Sequence, residues 1–272
     1  MSFFKQFPLV DYDIGLNGTI NKMVNLFRSV RPIRSFVDNP SLYTYYEIKN
    51  GERPDVVSQQ LYGTSEFYWT FFVINEFLHD GYKVWPMSQE QLYKYIQEEY
   101  DGYAISTQVA FIDSTIQNSI AGLFEIGELI TGSISDAQGT LTKKDIDLNQ
   151  LVVQNMTNSA AFHGRRDDGS ATTPFESISG SKTFDDVSTH NVWPYAEAPH
   201  HYYMLDDEGV KRQFTNMSHI FDTEYAVGSS ALEYVSNRQY LYDQNDERSK
   251  IRVISPNAIG EFVDKFEKLI NE

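Results

Sequence analysis

The run Phe67-Tyr68-Trp69-Thr70-Phe71-Phe72-Val73-Ile74 limits this chain more than any other stretch. Read as a helix from about Ser65 to Asn75, it is apolar on nearly every side, and such a helix has to be enclosed by its neighbours. Just before it, Leu42-Tyr43-Thr44-Tyr45-Tyr46-Glu47-Ile48 alternates and is rich in aromatic and β-branched residues, as a pleated strand requires. Asn50-Gly51 breaks that strand. Pro54 stands at a first helical position, and Val57, Leu61 and Tyr62 follow at helical spacing until Gly63. Beyond the aromatic run, Gly81 breaks the chain and Tyr82-Lys83-Val84-Trp85 reads as a returning strand stopped by Pro86. The expected layout is therefore strand, helix, helix, strand.

Composition narrows the function classes. Hydrophobic residues make up 41% of the 272, enough for a real core. The aromatic share is carried by 18 Tyr and 18 Phe, which suits either wide contact surfaces or rings half-buried in one core. A net charge of −16 argues against nucleic acid and anionic membrane as partners. There is no cysteine, so disulfides and thiolate metal sites are excluded. No signal segment opens the sequence and no long apolar window follows, so a soluble protein made in the cytoplasm is expected.

Along the chain, Phe3-Phe4-x-x-Phe7-Pro8 forms an aromatic head, expected to dock on something. Asp11-x-Asp13-x-Gly15 has the start of a calcium loop but lacks its closing Glu, Lys22 standing there instead. Ile20, Met23, Val24 and Phe27 fall at helical spacing and predict a helix from about Gly18 to Ser29. Ser88-x-x-Gln91 is a capping box that opens a further helix to about Tyr100.

From Ala104 to about Val192 small polar and β-branched residues with recurrent turn signals predict a small antiparallel barrel or sandwich. Its strands are expected as a pair within Phe124–Gly132, at Gly139–Thr142 and at Gln150–Gln154. Ile178-Ser179-Gly180-Ser181 reads as a second, weaker copy of Ile130-Thr131-Gly132-Ser133. A hairpin follows over Tyr202–Phe214, then a helix capped by Ser230-x-x-Glu233. A strand at Ile251–Ile254 leads to an amphipathic helix entered through Ser255-Pro256.

No catalytic constellation stands out: there is no phosphate-binding loop, nucleophile elbow or His-Glu-x-x-His. His200-His201 beside Asp206, Asp207 and Glu208 is a weak metal candidate, because neighbours on a strand point to opposite faces.

Tyr46-x-Ile48-x-x-Gly51, Leu61-Tyr62-Gly63-Thr64 and Ile74-Asn75 together resemble a LysM-like module. Its aromatic second helix departs from glycan-binding LysM repeats. With Arg53-Pro54, Tyr68-Trp69 and Ile74-Asn75, the stretch is similar to the small baseplate wedge protein family of T4-like contractile-tailed bacteriophages. Asn245-Asp246-Glu247-Arg248, Ile251-Arg252-Val253-Ile254 and Ser255-Pro256 carry the same resemblance, which spans about residues 14–100 and 195–272. It implies an α+β chain in four parts: an N-terminal arm and helix (1–41), a LysM-like βααβ module with the following helix (42–103), an inserted antiparallel β domain (104–193), and a C-terminal hairpin, helix, strand and helix (194–272).

The function so implied is a structural one in the virion tail baseplate, joining neighbouring wedge proteins around the hub. No enzymatic activity, metal or cofactor is expected. The partners are other baseplate wedge and hub proteins, with no nucleic acid and no membrane, and glycan binding is not favoured. The side chains expected at those contacts are Phe3, Phe4, Phe7, Tyr68, Trp69, Trp85, Phe262 and Phe266. The alternatives are a LysM-type peptidoglycan- or chitin-binding module and a cell-wall hydrolase, for which 38 acidic residues supply carboxylates too freely to count.

Overall fold

A computed structural model of the chain describes residues 7–13, 15, 18–28, 36, 38–107, 110–112, 115–117, 120–158, 161–162, 176–205, 209–215 and 233–272. Phe3, Phe4, Asp206, Asp207, Glu208 and the Ser230 cap lie outside the described residues. The chain is α+β and divides into two compact units, Met1–Leu92 with Asp243–Glu272, and Tyr93–Tyr242.

In the first unit, β1 (Leu9–Tyr12) and β2 (Asn21–Val24) form an antiparallel ribbon, Leu9 opposite Val24 and Tyr12 opposite Asn21. This corrects the helix expected over 18–29. Gly18 adopts φ 83, outside any helix, and Asp13 Oδ2 accepts its N–H at 2.7 Å within the connecting loop. Helical spacing in a short apolar stretch cannot be told from strand periodicity once a partner strand is available.

Strand β3 (Tyr43–Glu47) forms as expected, but its partner is β15 (Lys250–Ile254), Tyr45 lying opposite Arg252. The strand expected at Tyr82–Trp85 is instead a 3-10 turn, Gly81–Lys83. Trp85 is drawn inward there: its indole N–H donates to the Glu52 carbonyl at 2.8 Å, and its ring lies 5.7 Å from Phe72 and 6.2 Å from Phe71.

Ile48 N–H donates to Ser249 O, and Ser255 N–H to Leu42 O, which sets the phase of the ladder. Thr44 and Tyr46 thus bond β15, whereas the backbone groups of Tyr43, Tyr45 and Glu47 face the opposite edge. On the far side of β15, Asn75 stands in for a third strand. Its Oδ1 accepts Arg252 N–H at 2.9 Å and its Nδ2 donates to Arg252 O at 2.9 Å, while Tyr62 OH donates to Ile254 O at 2.9 Å.

Helix α1 (Pro54–Tyr62) begins on the expected proline. The aromatic run becomes a 3-10 turn, Ser65–Phe67, followed by α2 (Trp69–Ile74). As its all-round apolarity requires, α2 is enclosed between two clusters. Phe71 packs with Ile48, Val57, Leu78, Trp85, Ile251 and Val253. Trp69 and Ile74 pack with Phe36 and the inner face of α5 (Ile259–Asn271), where Trp69 meets Phe266 at 4.6 Å. Ser255-Pro256 does not cap α5. Ser255 O instead accepts Ala258 N–H in a turn that precedes the helix.

The second unit opens in α3 (Gln89–Glu99), whose capping box forms in full: Ser88 N–H to Gln91 Oε1 at 3.1 Å and Gln91 N–H to Ser88 Oγ at 3.2 Å. Six strands then close an antiparallel barrel in the order β10-β11-β4-β9-β8-β7. They are β4 (Tyr103–Thr107), β7 (Leu129–Gly132), β8 (Gln138–Asp145), β9 (Gln150–Gln154), β10 (Ser177–Gly180) and β11 (Asp186–Pro194). Of the hairpin expected in Phe124–Gly132 only its second arm is a strand. A small ribbon, β5 (Ala110–Ile112) with β6 (Thr115–Gln117), follows β4. A separate sheet joins β12 (Pro199–Leu205) to β13 (Lys211–Phe214) and β14 (Glu233–Ser236). The helix expected from Ser230 starts later, as α4 (Asn237–Ser249), with Ser236 Oγ accepting Gln239 N–H.

The barrel is two copies of one three-stranded half. β7 and β8 pair Leu129 with Thr140 and Thr131 with Gln138; β10 and β11 pair Ser177 with Ser188 and Ser179 with Asp186, the same partners 48 residues later. The next ladders shift register at equivalent places, between Leu141 and Lys143 and between Thr189 and Asn191. Strand β4 therefore does for the second half what β9 does for the first, although it precedes both in the chain.

Each half locks the turn of the other with a buried carboxylate. Glu176 accepts the N–H groups of Ile134 and Ser135, both at 2.9 Å, and the Ser135 hydroxyl at 2.7 Å. Glu128 accepts the N–H groups of Lys182 at 3.0 Å and Thr183 at 3.2 Å, and the Thr183 hydroxyl at 3.3 Å. Gly132 and Gly180 make room: a Cβ there would lie 2.8 Å and 2.6 Å from the Glu176 and Glu128 oxygens. Burial pushes the Glu128 carboxyl up, but the N–H groups of Glu125, Lys182 and Thr183 outweigh it and hold the group below its ordinary 4.5. Its contribution is present above about pH 4.5 and is lost as the pH falls further.

Replacing either carboxylate by Ala strands buried donors, so Glu176→Ala and Glu128→Ala should each destabilise the unit by roughly 3 kcal/mol. Urea unfolding measures both. Costs that differ several-fold between the two variants would contradict their equivalence.

Candidate functional site

The aromatic side chains expected at contacts fall mostly inside the first unit. Trp69, Phe262 and Phe266 are almost fully buried and pack on one another, and Trp85 is buried in the neighbouring cluster. Tyr68 is half-buried, 6.2 Å from the Tyr82 ring. Phe7 is buried against the Phe36, Trp69 and Phe262 cluster. These rings hold the platform together, and the surface is made by others.

The most apolar described surface is the β1–β2 ribbon. Every residue of both strands is exposed. Phase again decides which side chains group together. Asn25 N–H donates to Pro8 O, so Val10, Tyr12 and Met23 share one face, and Leu9 and Val24 share the other. Leu9 is 62% exposed, and Phe27 in the turn after β2 is 98% exposed. Phe7 anchors the ribbon's base in the core, and both of its edges lack a strand partner among the described residues. An isolated two-stranded ribbon of this size is marginal in water. The sequence signal for it was present, in Ile20, Met23, Val24 and Phe27, but pointed to the wrong element.

A second exposed feature is a recess of about 420 Å³ between β15 and the end of α2, lined by Tyr45, Asn75, Phe77, Lys250 and Arg252. Tyr45 is 71% exposed, and the Arg252 guanidinium lies 5.2 Å from the Tyr43 ring centre. In the second unit a cleft of about 530 Å³ runs beside Tyr100, Tyr103, Asn155, Asn158 and Arg238. Among the described residues no group of three or more His, Asp or Glu could hold a metal ion, and no helix is long and apolar enough to cross a membrane.

His200 and His201 do meet, contrary to the expectation of opposite faces. The register of β12 shifts between Pro199 and His201, which breaks strand alternation, and the two Nδ1 atoms come within 2.9 Å. One ring donates and the other accepts, and His200 stacks on Tyr240 at 3.7 Å. Burial lowers both imidazoles; His201 and Lys143 lower His200 further against a pull from Asp145, and Lys211 lowers His201 further.

Fold and surfaces together define an α+β protein with a six-stranded barrel and an exposed apolar ribbon. Residues 1–116 match the model of the family described as base plate wedge protein 53. The match covers the ribbon, β3, α1, α2 and α3, and supports a phage baseplate wedge protein with a structural role in the virion tail, among other baseplate proteins. The C-terminal stretch with the same resemblance in sequence lies outside it. No curated protein matches the chain.

Because the unfolded chain takes up protons more readily than the folded histidine pair, stability should be complete above about pH 6.5 and should decline as the pH falls toward 5. Urea midpoints at pH 7.5 and 5.5 should differ, and His200→Gln should reduce that difference. An unchanged pH slope in the variant would show that the pair carries none of it.

Proposed function

We propose that this chain is a baseplate wedge subunit that joins neighbouring wedge proteins around the tail hub through permanent protein–protein contacts. The observation that carries this reading is the β1–β2 ribbon. It is anchored by Phe7, carries exposed apolar side chains on both faces, lacks a strand partner at either edge among the described residues, and lies inside the part of the chain that matches the wedge family. Such a ribbon suits strand addition and apolar docking on a protein neighbour. Phe3 and Phe4 directly precede the anchor and are taken as part of the same contact. Tyr68, Trp69, Trp85, Phe262 and Phe266 serve it by fixing the platform. The arrangement β3, α1, α2, β15 is read as a LysM-like module whose closing strand is supplied by the C-terminal stretch. Interfaces of this permanent kind bury upwards of about 2,000 Å² and are rich in aromatic residues.

The double variant Val10→Asp, Met23→Asp changes exposed positions only, so its unfolding midpoint should stay within about 0.5 kcal/mol of the parent. Its co-assembly with purified baseplate proteins of the same phage should fall at least about tenfold, a loss of roughly 1.4 kcal/mol or more. Phe266→Asp, by contrast, should unfold the first unit. Undiminished assembly by the double variant, or retention of the parent on insoluble peptidoglycan in place of assembly, would overturn the reading.

A further inference from the structure

The two halves of the barrel act as internal controls for each other, and they differ at one telling position. Asp136 and Phe184 occupy equivalent places after the locked turns, and both take left-handed backbone, φ 54 and φ 59. Asp tolerates that conformation. For a bulky ring it is an outlier that costs on the order of 1 kcal/mol. Phe184 is also 83% exposed, and its ring joins no core cluster among the described residues. At this position the second half thus carries a strained apolar ring in water, where the first half carries an aspartate; Phe124, the other ring held at positive φ (57), is buried in the barrel core.

The ring sits on a turn that cannot easily yield. Phe184 N–H donates to Gly180 O at 3.2 Å, Glu128 holds the neighbouring Lys182 and Thr183, and Asp185 Oδ2 accepts Phe124 N–H at 2.7 Å. An aromatic side chain on a tied, strained support is preorganised, and little ordering remains to be done when it binds. Features that oppose local stability without internal compensation mark functional positions.

We infer that Phe184 is a contact anchor, inserted into an apolar pocket with a basic rim on a neighbouring tail protein. The inference rests on the baseplate reading above and adds to it a contact from the barrel, outside the family match. The basic rim follows from the net charge of −16, since exposed Lys182 and exposed Asp186, each two residues from the ring, offset one another locally. The same charge repels an anionic lipid surface, and one ring is a weak membrane anchor.

The test uses the full-length protein and three forms: parent, Phe184→Asn and Phe184→Tyr. Purified baseplate proteins of the same phage are titrated against each, and unfolding temperatures are measured alongside. Phe184→Asn should raise the Tm by about 2 °C, because Asn accepts left-handed backbone. It should also weaken binding of at least one baseplate protein tenfold or more, while Phe184→Tyr keeps it. A merely structural ring would lower the Tm on removal and leave binding in step with folding. If every protein that binds the parent binds Phe184→Asn equally, the anchor is wrong and the baseplate reading stands. If none binds the parent, the baseplate reading itself falls and the anchor with it. Phe184-dependent binding to phosphatidylglycerol vesicles would assign the ring to a membrane and overturn the proposal.

Discussion

The first unit depends on one ladder, β3 with β15, made between strands far apart in sequence. Neither strand could stand without the other, since α1 and α2 need a sheet to pack on, and a lone strand has half its backbone groups unmet. The ladder is then closed on one side by side chains: Asn75 reproduces a strand's donor and acceptor at Arg252, and Tyr62 caps Ile254. Burial pushes the Tyr62 phenol up, so it stays a donor throughout the accessible pH range. The entropy cost of closing so long a connection grows only with the logarithm of its length, by about 0.6 kcal/mol per doubling. A whole second unit can therefore sit between the two strands in the chain at small thermodynamic expense.

The second unit answers a different constraint. A small barrel has little interior, and its turns must be fixed by something other than a core. Here each turn is fixed by a carboxylate from the opposite half, so neither half is complete alone. The arrangement explains why Ile-x-Gly-Ser recurs: the Ile fills the barrel, the Gly clears space for the carboxylate, and the Ser or Thr two residues later bonds it. It also shows why sequence alone reveals only a weak repeat. The third strand of the second half is β4, which lies ahead of the first half, so no linear comparison of successive segments finds three matching strands in order.

Much of the fold was legible where a local signal had a local cause. The proline of α1, the capping box at Ser88, the strands at Tyr43–Glu47 and Gln150–Gln154 and the apolar stripe of α5 depend on a few adjacent residues. The failures share a different origin. Gly18–Phe27 has helical spacing, yet pairing with Leu9–Tyr12 decided its conformation. Tyr82–Trp85 has strand composition, yet β15 had taken the place beside β3, leaving Trp85 to turn inward. His200 and His201 share a side only because a register shift disrupts alternation. Tertiary competition settled each case, and that competition is not written in the segment itself.

The same distinction governs the aromatic residues, which the sequence presents as one population. Rings on regular elements with an apolar neighbour surface, such as Trp69, Phe71, Phe262 and Phe266, became core. Rings on the ribbon, on the open face of β3 and at the barrel turn stayed in solvent. Exposure of this kind is a liability for a free protein, because apolar ribbons and open strand edges recruit copies of themselves. A charge of −16 opposes that self-association at a distance, since every approaching copy carries the same sign. It does not oppose a partner of other charge and complementary shape. A strong net charge and a sticky local surface are thus compatible in one molecule, provided its surfaces are meant for neighbours unlike itself.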